Sequence, residues 1–428
     1  MARSHDMTSG SIWRSLLGFS IPIMISNLVQ STYNAVDMLF VGRFTGTESL
    51  AAVSVCGPIL NVMIITLSGM SAGVLVVISG LLGAGDIKQA QDAAHTSVAL
   101  YALMAAVMTV LGLLFVPQIL RLVQTPAAAM PEAKRYLYTV FAGTVFTFGY
   151  NLIGALQRGL GNAAASMSFV IISSAANIAL DAVFIVWLGM GTFGAALGTV
   201  LSQVAAFVIG TVQFARGGAA LRLSARAVRF HKKHLKNILL FGVPTALNEV
   251  MVNLAMLTVS GVANSFGLAS SAAYGVGSRI NSLAIFTDGA MNQTMSAYAS
   301  QNIGAGRQKR ALEGLWKAII LSAGAALGTS LLVLGFASEF SACFDSDPAV
   351  IEQSAAFLRV TVWSYPLFAT VGPLIGFIRG TGNVEASLLV GVVAQLCCRV
   401  PASFLFSRWM GFPGVGVAVL VGPLVSVS

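Results

Sequence analysis

Two aspartates interrupt stretches of sequence that are otherwise apolar enough to lie in lipid. Asp37 occurs in STYNAVDMLFVGR (31–43), and Asp181 occurs in ANIALDAVFI (176–185). A charged side chain at the centre of a membrane span costs about 2.5–3.5 kcal/mol, and such residues usually bind a proton, an ion or a substrate. The two aspartates therefore predict a site for a proton or another cation.

Each aspartate lies at the end of a polar stripe, because residues three or four apart share one face of a helix. The stripes comprise Ser26, Gln30, Tyr33, Asn34 and Asp37 in the first segment, and Ser173, Ser174, Asn177 and Asp181 in the second. Such faces must turn away from lipid, toward a water-filled cavity or a partner helix. Neither segment carries a lysine or arginine near its aspartate, so the sequence offers no obvious ion-pair partner.

Two further acids, Glu249 and Asp288, lie in apolar segments of the second half. A second cation site and a structural role both fit them. Glu249 lies five residues after Pro244, near a helix end from which its side chain reaches water easily. Asp288 could instead pair with Arg399 or Arg279.

Two prolines, Pro22 and Pro244, occupy matching positions near the starts of two apolar segments. Proline removes a backbone hydrogen bond and permits a helix to bend. A static kink and a moving hinge both fit this pattern.

The amino-acid composition indicates that these apolar segments lie in a lipid bilayer. The chain has 428 residues, of which 56% are hydrophobic and 9% are charged, and its mean hydropathy is +0.84. A soluble domain carries about 25% charged residues, so this composition predicts a polytopic membrane protein. The amino-terminal residues show no pattern of a removable signal peptide, which predicts that the first apolar segment is retained as a span.

Several other functions are disfavoured by residue spacing. The four cysteines and four histidines form no metal-binding pattern. GMGTFG (189–194) matches the dinucleotide fingerprint G-x-G-x-x-G, but no strand precedes it and no suitable acid follows it, which favours a tight turn. No Walker-type loop with its lysine is present, so ATP is not predicted to drive this protein directly. No enzymatic activity and no cofactor are expected. Much of the +9 net charge lies in 216–237, which is typical of a cytoplasmic loop rather than a nucleic-acid-binding surface.

Twelve apolar runs are long enough to cross a bilayer. They lack the alternation of barrel strands, so they predict helices. They fall at roughly 16–41, 49–82, 94–116, 136–156, 164–188, 193–214, 238–264, 270–300, 314–336, 355–377, 386–407 and 412–428. With the amino terminus in the cytoplasm, sixteen lysines and arginines lie inside and six outside, as the positive-inside rule requires.

The second half of the chain repeats the first at an offset of about 221 residues. QRGLGNAAAS (157–166) corresponds to IRGTGNVEAS (378–387), and WLGMGTFGAALG (187–198) to WMGFPGVGVAVL (409–420). Because each half holds six helices, the predicted fold is an all-α membrane protein with two parallel six-helix lobes related by a pseudo-two-fold axis along the membrane normal. The predicted domains are an amino-terminal lobe (1–214), a basic cytoplasmic linker (215–237) and a carboxyl-terminal lobe (238–428) with a shortened twelfth helix.

The sequence resembles the MATE family of multidrug and toxic compound extrusion transporters. The resemblance rests on FSIPIMISNLVQSTYNAVDMLFVGR, on QRGLGN with IRGTGN, and on ANIALDAVFI, and it extends over both lobes. It is closest to the prokaryotic DinF-like branch, whose acidic residues concentrate in the amino-terminal lobe. Glu249 matches the helix-7 acid of the NorM-like branch only approximately, and no acid occupies the middle of the tenth span.

The resemblance implies a V-shaped bundle that exports organic cations and amphipathic compounds in exchange for H⁺ or Na⁺. The coupling cation is then assigned to Asp37, Asn177, Asp181 and Thr199, with Na⁺ a candidate ligand of the same four residues. The substrate cavity is assigned to Gln30, Tyr33, Asn34 and Asn151. Glu249 and Asp288 are the candidates for a second-lobe site, and Pro22 and Pro244 for hinges.

The predicted function is therefore a secondary active multidrug antiporter in a bacterial or archaeal plasma membrane. The expected partners are cationic or amphipathic drugs and membrane lipids, and the chain is expected to act as a monomer without nucleic acid. Two alternatives remain, a flippase for lipid-linked precursors of the same superfamily and a non-transporting membrane sensor or assembly partner. The acidic first lobe argues against the flippase, and the preserved repeat argues against the sensor.

Overall fold

The computed structural model describes residues 6–216, 221–284 and 286–427, and their regular structure is entirely helical. Long apolar runs in lipid must satisfy their own backbone hydrogen bonds, which explains the absence of strands from these ranges. The helices of the first half are α1 (Ile12–Phe44), α2 (Thr47–Gly83), α3 (Ile87–Leu122), α4 (Met130–Gly159), α5 (Ala163–Trp187) and α6 (Gly191–Arg216). Those of the second half are α7 (Lys232–Asn264), α8 (Leu268–Ala284 and Phe286–Gly304), α9 (Gln308–Ala342), α10 (Pro348–Gly380), α11 (Val384–Met410) and α12 (Phe412–Val427).

These helices form a multi-pass membrane protein. Ten of those in the described residues are long and apolar enough to span a bilayer, and α8 and α12 complete the twelve. Large aliphatic side chains lie exposed along them, for example Leu114 at 63%, Leu257 at 70% and Leu331 at 71% exposure. Lipid is the solvent in which such surfaces are stable, so the predicted all-α, twelve-helix fold is confirmed.

Four tight turns of the same design connect α2 to α3, α4 to α5, α8 to α9 and α10 to α11. Each contains a glycine with positive φ, namely Gly85 (73°), Gly161 (79°), Gly306 (71°) and Gly382 (96°). The N–H of the next residue bonds the carbonyl five positions earlier, as in Asp86 to Leu81 at 3.0 Å and Asn162 to Gln157 at 2.8 Å. This is the Schellman ending of a helix, and it requires the left-handed backbone that glycine adopts most readily.

The described residues divide into two compact units, one built around Ile21–Gly242 and the other from Met7–Ser20 together with the chain from Val243 onward. The division falls within α1 and within α7, so the first helix of each half has residues in both units. The lobe and linker boundaries drawn from the sequence remain a prediction.

The first unit has its core among α2, α3, α4 and α6. Its fully buried side chains include Tyr101, Phe148, Ile78 and Leu156. The segment before α7 is held on α3 by hydrogen bonds from the backbone N–H of Arg222 to Gln91 (2.7 Å) and of His231 to Thr96 (3.2 Å). The basic segment is therefore ordered from Leu221 onward by polar side chains of α3.

The second unit has its core among α8, α10 and α12. Phe357 packs between the rings of Tyr274 and Phe412, with centroid distances of 5.6 and 5.8 Å. The segment before α1 is held here, since Gln301 accepts a hydrogen bond from the N–H of Met7 at 2.8 Å. The segment that precedes each half's first helix is thus held by polar side chains of another helix.

One helix of each half widens into a π-helical turn, although the two turns do not lie at corresponding positions of the repeat. In α5 the turn covers Ala182–Trp187, directly after Asp181, and in α11 it covers Val393–Arg399. Single π turns inside α-helices frequently occur at functional sites. Both turns carry or adjoin a charged residue that is buried in its unit.

Candidate functional site

Asp181 is the most deeply buried acid of the candidate site. It ends the regular part of α5, has no exposed surface, and neither of its carboxyl oxygens has a hydrogen-bond partner among the described residues. A Cβ added to Gly198 of α6 would lie 2.4 Å from Asp181 Oδ1, so only glycine permits this approach of the two helices. The local sequence therefore positions the carboxyl group by leaving out a side chain on the facing helix.

Asn177 lies one turn before Asp181 on the same face of α5. It is 1% exposed, and neither its amide nitrogen nor its amide oxygen is hydrogen-bonded within the described ranges. A buried polar group without a partner costs about 1–3 kcal/mol. The amide oxygen of Asn177 and the carboxylate oxygens of Asp181 are therefore candidate ligands for a cation.

Asp37 of α1 meets Asp181 across the first unit. Their carboxyl groups lie close enough to share a hydrogen bond when one of them is protonated. Asp37 Oδ1 has no partner among the described residues. Two adjacent carboxylates in a medium of low dielectric repel each other strongly, and a proton or a bound cation between them relieves that repulsion. The structure therefore brings together the two acids that the sequence singled out.

Two tyrosines, Tyr33 and Tyr136, lie near the acid pair. Tyr33 is near enough to interact with both aspartates and with Tyr150 of α4, and Tyr136 of α4 interacts with both aspartates as well. Tyr136 is 6% exposed and belongs to the buried cluster of this unit. Aromatic rings can attract organic cations, so Tyr33 and Tyr136 are candidates for contact with a cationic ligand.

Sequence reasoning missed Tyr136 and Tyr150. Both lie in α4, whose stripe of polar residues is less regular than those of α1 and α5. The proximity of Tyr136 to the acids and of Tyr150 to Tyr33 depends on how α4 packs against its neighbours, which no spacing within α4 reveals.

The positions of the other predicted residues of the first half do not determine whether these residues bind substrate or ion. Asn151 donates to the carbonyl of Thr147 at 2.8 Å, and Thr199 directly follows the glycine that contacts Asp181. Gln30 is close enough to Tyr33 for a side-chain hydrogen bond, and Asn34 is exposed. The roles of these four side chains in substrate or ion binding remain predictions.

The acids of the second half sit in separate surroundings. A Cβ built on Gly372 would lie 2.1 Å from Asp288 Oδ1, so Asp288 packs against the backbone of α10. Glu249 is close enough to interact electrostatically with Arg379, which donates to Asn292 at 3.1 Å. The two acids therefore do not share one arrangement comparable to the pair in the first unit.

The structural alternative for Asp288, an ion pair with Arg399 or Arg279, is not formed. Within the described residues, the ion pairs are Arg135 with Glu132 and His231 with Asp92, each at 3.6 Å. Asp288 faces a glycine of α10, whereas Arg399 donates to Gln395 of its own helix. Asp288 remains a candidate for a second-lobe site with one unsatisfied carboxyl oxygen.

Both predicted hinge prolines lie where a helix passes from one compact unit to the other. Pro22 follows the division at Ser20 and Ile21, and Pro244 follows the division at Gly242 and Val243. The Pro22 carbonyl accepts a hydrogen bond from the hydroxyl of Ser26 at 2.8 Å. Their positions agree with either a kink or a hinge, and both interpretations remain open.

Within the described residues, no group of three or more histidine, cysteine, aspartate or glutamate side chains could hold a metal ion. The oxygen donors near the acid pair are carboxylate and amide groups. Such hard oxygen ligands suit a proton or an alkali cation better than a transition metal.

Comparison with known proteins places this arrangement in a family. The MatE family model matches residues 22–183 and again residues 244–405. The chain is 27% identical to the probable multidrug resistance protein YpnP of Bacillus subtilis over 417 residues, covering 97% of this chain and 93% of that protein. It is 22% identical to the multidrug export protein MepA of Staphylococcus aureus strain N315, covering 96% and 90% of the two chains.

Solved structures agree over almost the whole length. An outward-facing multidrug resistance MATE transporter of the MOP superfamily superposes with a TM-score of 0.91 at 25% identity, covering 98% of this chain and 94% of that one. A MATE structure in the straight conformation gives a TM-score of 0.94 at 24% identity, which concerns the fold alone. Because the family model matches both halves and most of the sequence, the chain belongs to the MatE family of multidrug and toxic compound extrusion transporters and is not an enzyme.

Proposed function

We propose that the protein exports organic cations and amphipathic xenobiotics in exchange for H⁺ or Na⁺. The observation that carries the proposal is the pair Asp37 and Asp181, two neighbouring acids within membrane helices whose carboxylates form no ion pair among the described residues. The names of the relatives, a probable multidrug resistance protein and multidrug export proteins, support a drug as the cargo.

The mechanism follows from competition for one negative charge. The ionised pair attracts a cationic drug, and Tyr33 and Tyr136 offer aromatic faces to it. Loading of H⁺ or Na⁺ neutralises the same carboxylates, and the drug loses its electrostatic attraction and leaves. Binding of either ligand excludes the other, which is the requirement for coupled antiport.

The proposal includes two alternatives for the coupling ion, Na⁺ and H⁺. For Na⁺, the carboxylates of Asp37 and Asp181 combine with oxygens of Asn177 and Thr199 into a set of hard ligands. For H⁺, the two carboxylates alone suffice. Both branches require the two carboxylates, so substitution of Asp37 or Asp181 does not distinguish them, and the imposed gradient does.

Alternating access would be provided by the repeated halves, with bending of α1 at Pro22 and of α7 at Pro244 as part of the movement. We place the amino terminus in the cytoplasm of a prokaryotic cell, because the basic residues concentrate on that side. The protein then works as a monomer surrounded by lipid.

The test is efflux of ethidium from proteoliposomes in which a pH gradient and a Na⁺ gradient are imposed separately. At least one gradient should accelerate efflux by wild-type protein. Asp37→Asn and Asp181→Asn should each lower the coupled initial rate by about tenfold or more, since each removes charge from the pair. Glu352→Gln is the matched control, because Glu352 is exposed and lies outside the site. Coupled transport by Asp37→Asn at the parental rate would refute the proposal.

A further inference from the structure

The second unit contains a buried cation that the proposed antiport does not use. Arg399 lies near the midpoint of the 27-residue helix α11 and is 7% exposed. Ionisable residues at that depth are rare in membrane proteins and usually mark a substrate or ion pathway. The position of Arg399 therefore calls for a ligand or a counter-charge.

The protein itself supplies only neutral partners to Arg399. Its Nη1 donates to Gln395 Oε1 at 3.1 Å, and its Nε has no hydrogen-bond partner among the described residues. No aspartate or glutamate of those ranges lies within ion-pair distance of it. The phenol of Tyr274 is near enough to interact with the guanidinium, and a Cβ built on Gly422 would lie 3.6 Å from Arg399 Cδ.

The internal repeat shows that this site corresponds to the acid site with its charge reversed. Ten residues before Trp187 the first half has Asn177, and ten residues before Trp409 the second half has Arg399. Six residues before the same tryptophans the chain has Asp181 and Ser403. In the first half these positions hold a carboxylate and an amide, and in the second a guanidinium and a hydroxyl.

Both positions are buried in their own units, and each pair adjoins a π-helical turn. Ser403 has no exposed surface and donates to the carbonyl of Val400 at 2.6 Å. Its hydroxyl therefore does not offset the charge of Arg399. The chemical preference of the second-unit site is for an anion, where that of the first is for a cation.

We propose that Arg399, Gln395 and Tyr274 bind the carboxylate of an amphipathic substrate. A guanidinium holds a carboxylate through two parallel hydrogen bonds, and Arg399 has donors left after its single bond to Gln395. The phenol of Tyr274 is an additional donor, and the amide nitrogen of Gln395 is another. This inference deepens the proposed function, because it rests on the chain being a drug exporter and specifies a second feature of its substrates.

A purely structural role for Arg399 accounts less well for these contacts. A structural arginine in a membrane helix bundle is normally paired with an acid or saturated by carbonyl groups. Asp288, an acid of the same unit with an unsatisfied oxygen, packs on Gly372 instead of pairing with Arg399. The acid and the arginine of this unit are therefore not paired with each other.

The test compares two dyes that differ by one methyl group. Rhodamine 110 carries a free carboxylate, and rhodamine 123 is its methyl ester with the same cationic ring system. Binding of both to the purified full chain is measured by fluorescence polarisation. For Arg399→Gln, the affinity for the acid should fall by about tenfold or more, while the affinity for the ester changes by less than about threefold, because only the acid uses the guanidinium.

Three further variants keep the test decisive. Arg399→Lys should restore part of the preference for the acid. Gln395→Glu places a carboxylate beside the unchanged arginine, so it should remove the preference through internal competition even if Arg399→Gln does not fold. Arg408→Gln, which removes an exposed charge from the same helix, should leave the ratio of the two affinities unchanged.

The outcomes separate this inference from the proposed function. Equal weakening of both dyes in Arg399→Gln, an unchanged ratio in Gln395→Glu, or wild-type protein that binds only the ester would each overturn it. Gradient-driven efflux of the ester is measured in parallel. Export of the ester with an unchanged acid-to-ester ratio in the variants would leave the proposed function intact and reject the anion site. Binding of the acid that depends on Arg399, without efflux of either dye, would support the anion site and reject the proposed function.

Discussion

Asp181 shows how a single residue position is prepared for chemistry. The carboxyl group has no exposed surface and no hydrogen-bond partner among the described residues, and the facing helix contributes a glycine at the point of closest approach. Leaving a buried carboxylate unsatisfied lowers the stability of the fold. In the proposed mechanism, binding of a cation to Asp181 recovers that free energy.

Gly198 should therefore be required for transport. In Gly198→Ala the new methyl group would lie 2.4 Å from Asp181 Oδ1, so the carboxylate must move away from Asp37. We expect the initial rate of ethidium efflux to fall by about tenfold or more, since a displaced carboxylate no longer forms the pair. Initial rates in proteoliposomes measure this.

The control for that substitution is Gly57→Ala in α2, where an added Cβ would meet no atom within 4 Å. Its transport rate should match that of the wild type. A normal rate in Gly198→Ala would show that the close approach to Asp181 has no functional role.

At the level of elements, the four Schellman turns determine where one helix ends and the next begins. The sequences GAGD, GLGN, GAGR and GTGN each place a glycine with positive φ before the first residue of the next helix or its cap. Asp86, Asn162 and Asn383 then accept a hydrogen bond from the N–H three residues later. All four turns thus satisfy the last carbonyls of one helix, and these three caps also satisfy a free N–H group of the next helix.

Replacing a turn glycine should destabilise the protein. In Gly161→Ala the alanine must adopt a φ of 79°, which costs about 1–2 kcal/mol for an L-residue. Gly324→Ala in the middle of α9 is the matched control, because its Cβ would meet no atom within 4 Å and alanine favours a helix more than glycine does. Thermal unfolding in detergent should show a lower transition temperature for the first variant and an equal or higher one for the second. The opposite order would contradict the assignment of the turn.

The cap of α3 should make stability depend on pH. The backbone N–H of Gln89, with its side-chain amide and nearby Lys233, lowers the pKa of Asp86 below its ordinary value of 3.8. The ionised form is thus favoured in the folded state, so its contribution is complete above 3.8 and is lost as the pH falls through the lower folded-state pKa. Asp86→Ala should melt below the wild type at neutral pH, and the difference should shrink in acid.

Asp86→Asn separates the cap from its charge. Asparagine also accepts the hydrogen bond of an N-cap but does not titrate. Its melting temperature should lie near that of the wild type at neutral pH, and the acid-dependent part of the difference should be absent. An equal pH dependence for Asp86→Asn and the wild type would show that Asp86 is not the titrating group.

For the whole molecule, the hydrophobic pattern and the repeat were sufficient to predict twelve helices in two related halves. Both signals can be recognised without knowing any tertiary contact, because a membrane span is a contiguous segment and a repeat keeps a constant spacing along the chain. Asp37 and Asp181 could also be identified, because a charge in an apolar run is conspicuous. The separation of Asp288 from Arg399 and the presence of Tyr136 at the acid pair could not be predicted, because they depend on the lateral packing of helices that are distant in sequence.

The halves are related in fold but differ in chemistry. The first has an acid pair without a basic partner, and the second has Arg399 at the position that corresponds to Asn177. Duplication conserved the helices and their turns, while the buried polar residues diverged. We expect the ion-coupled step to depend on the first half and the choice among substrates to depend on both.

The most direct test of the central claim is the equilibrium affinity of purified protein for ethidium, measured as a function of pH and of Na⁺ concentration. The affinity of the wild-type protein and of the Glu352→Gln control for ethidium should fall as the concentration of the coupling ion rises, because drug and ion compete for the charge of Asp37 and Asp181. The double variant Asp37→Asn with Asp181→Asn should bind weakly and show no dependence on either ion. An unchanged ion dependence in that double variant would contradict the claim that drug and ion share this site.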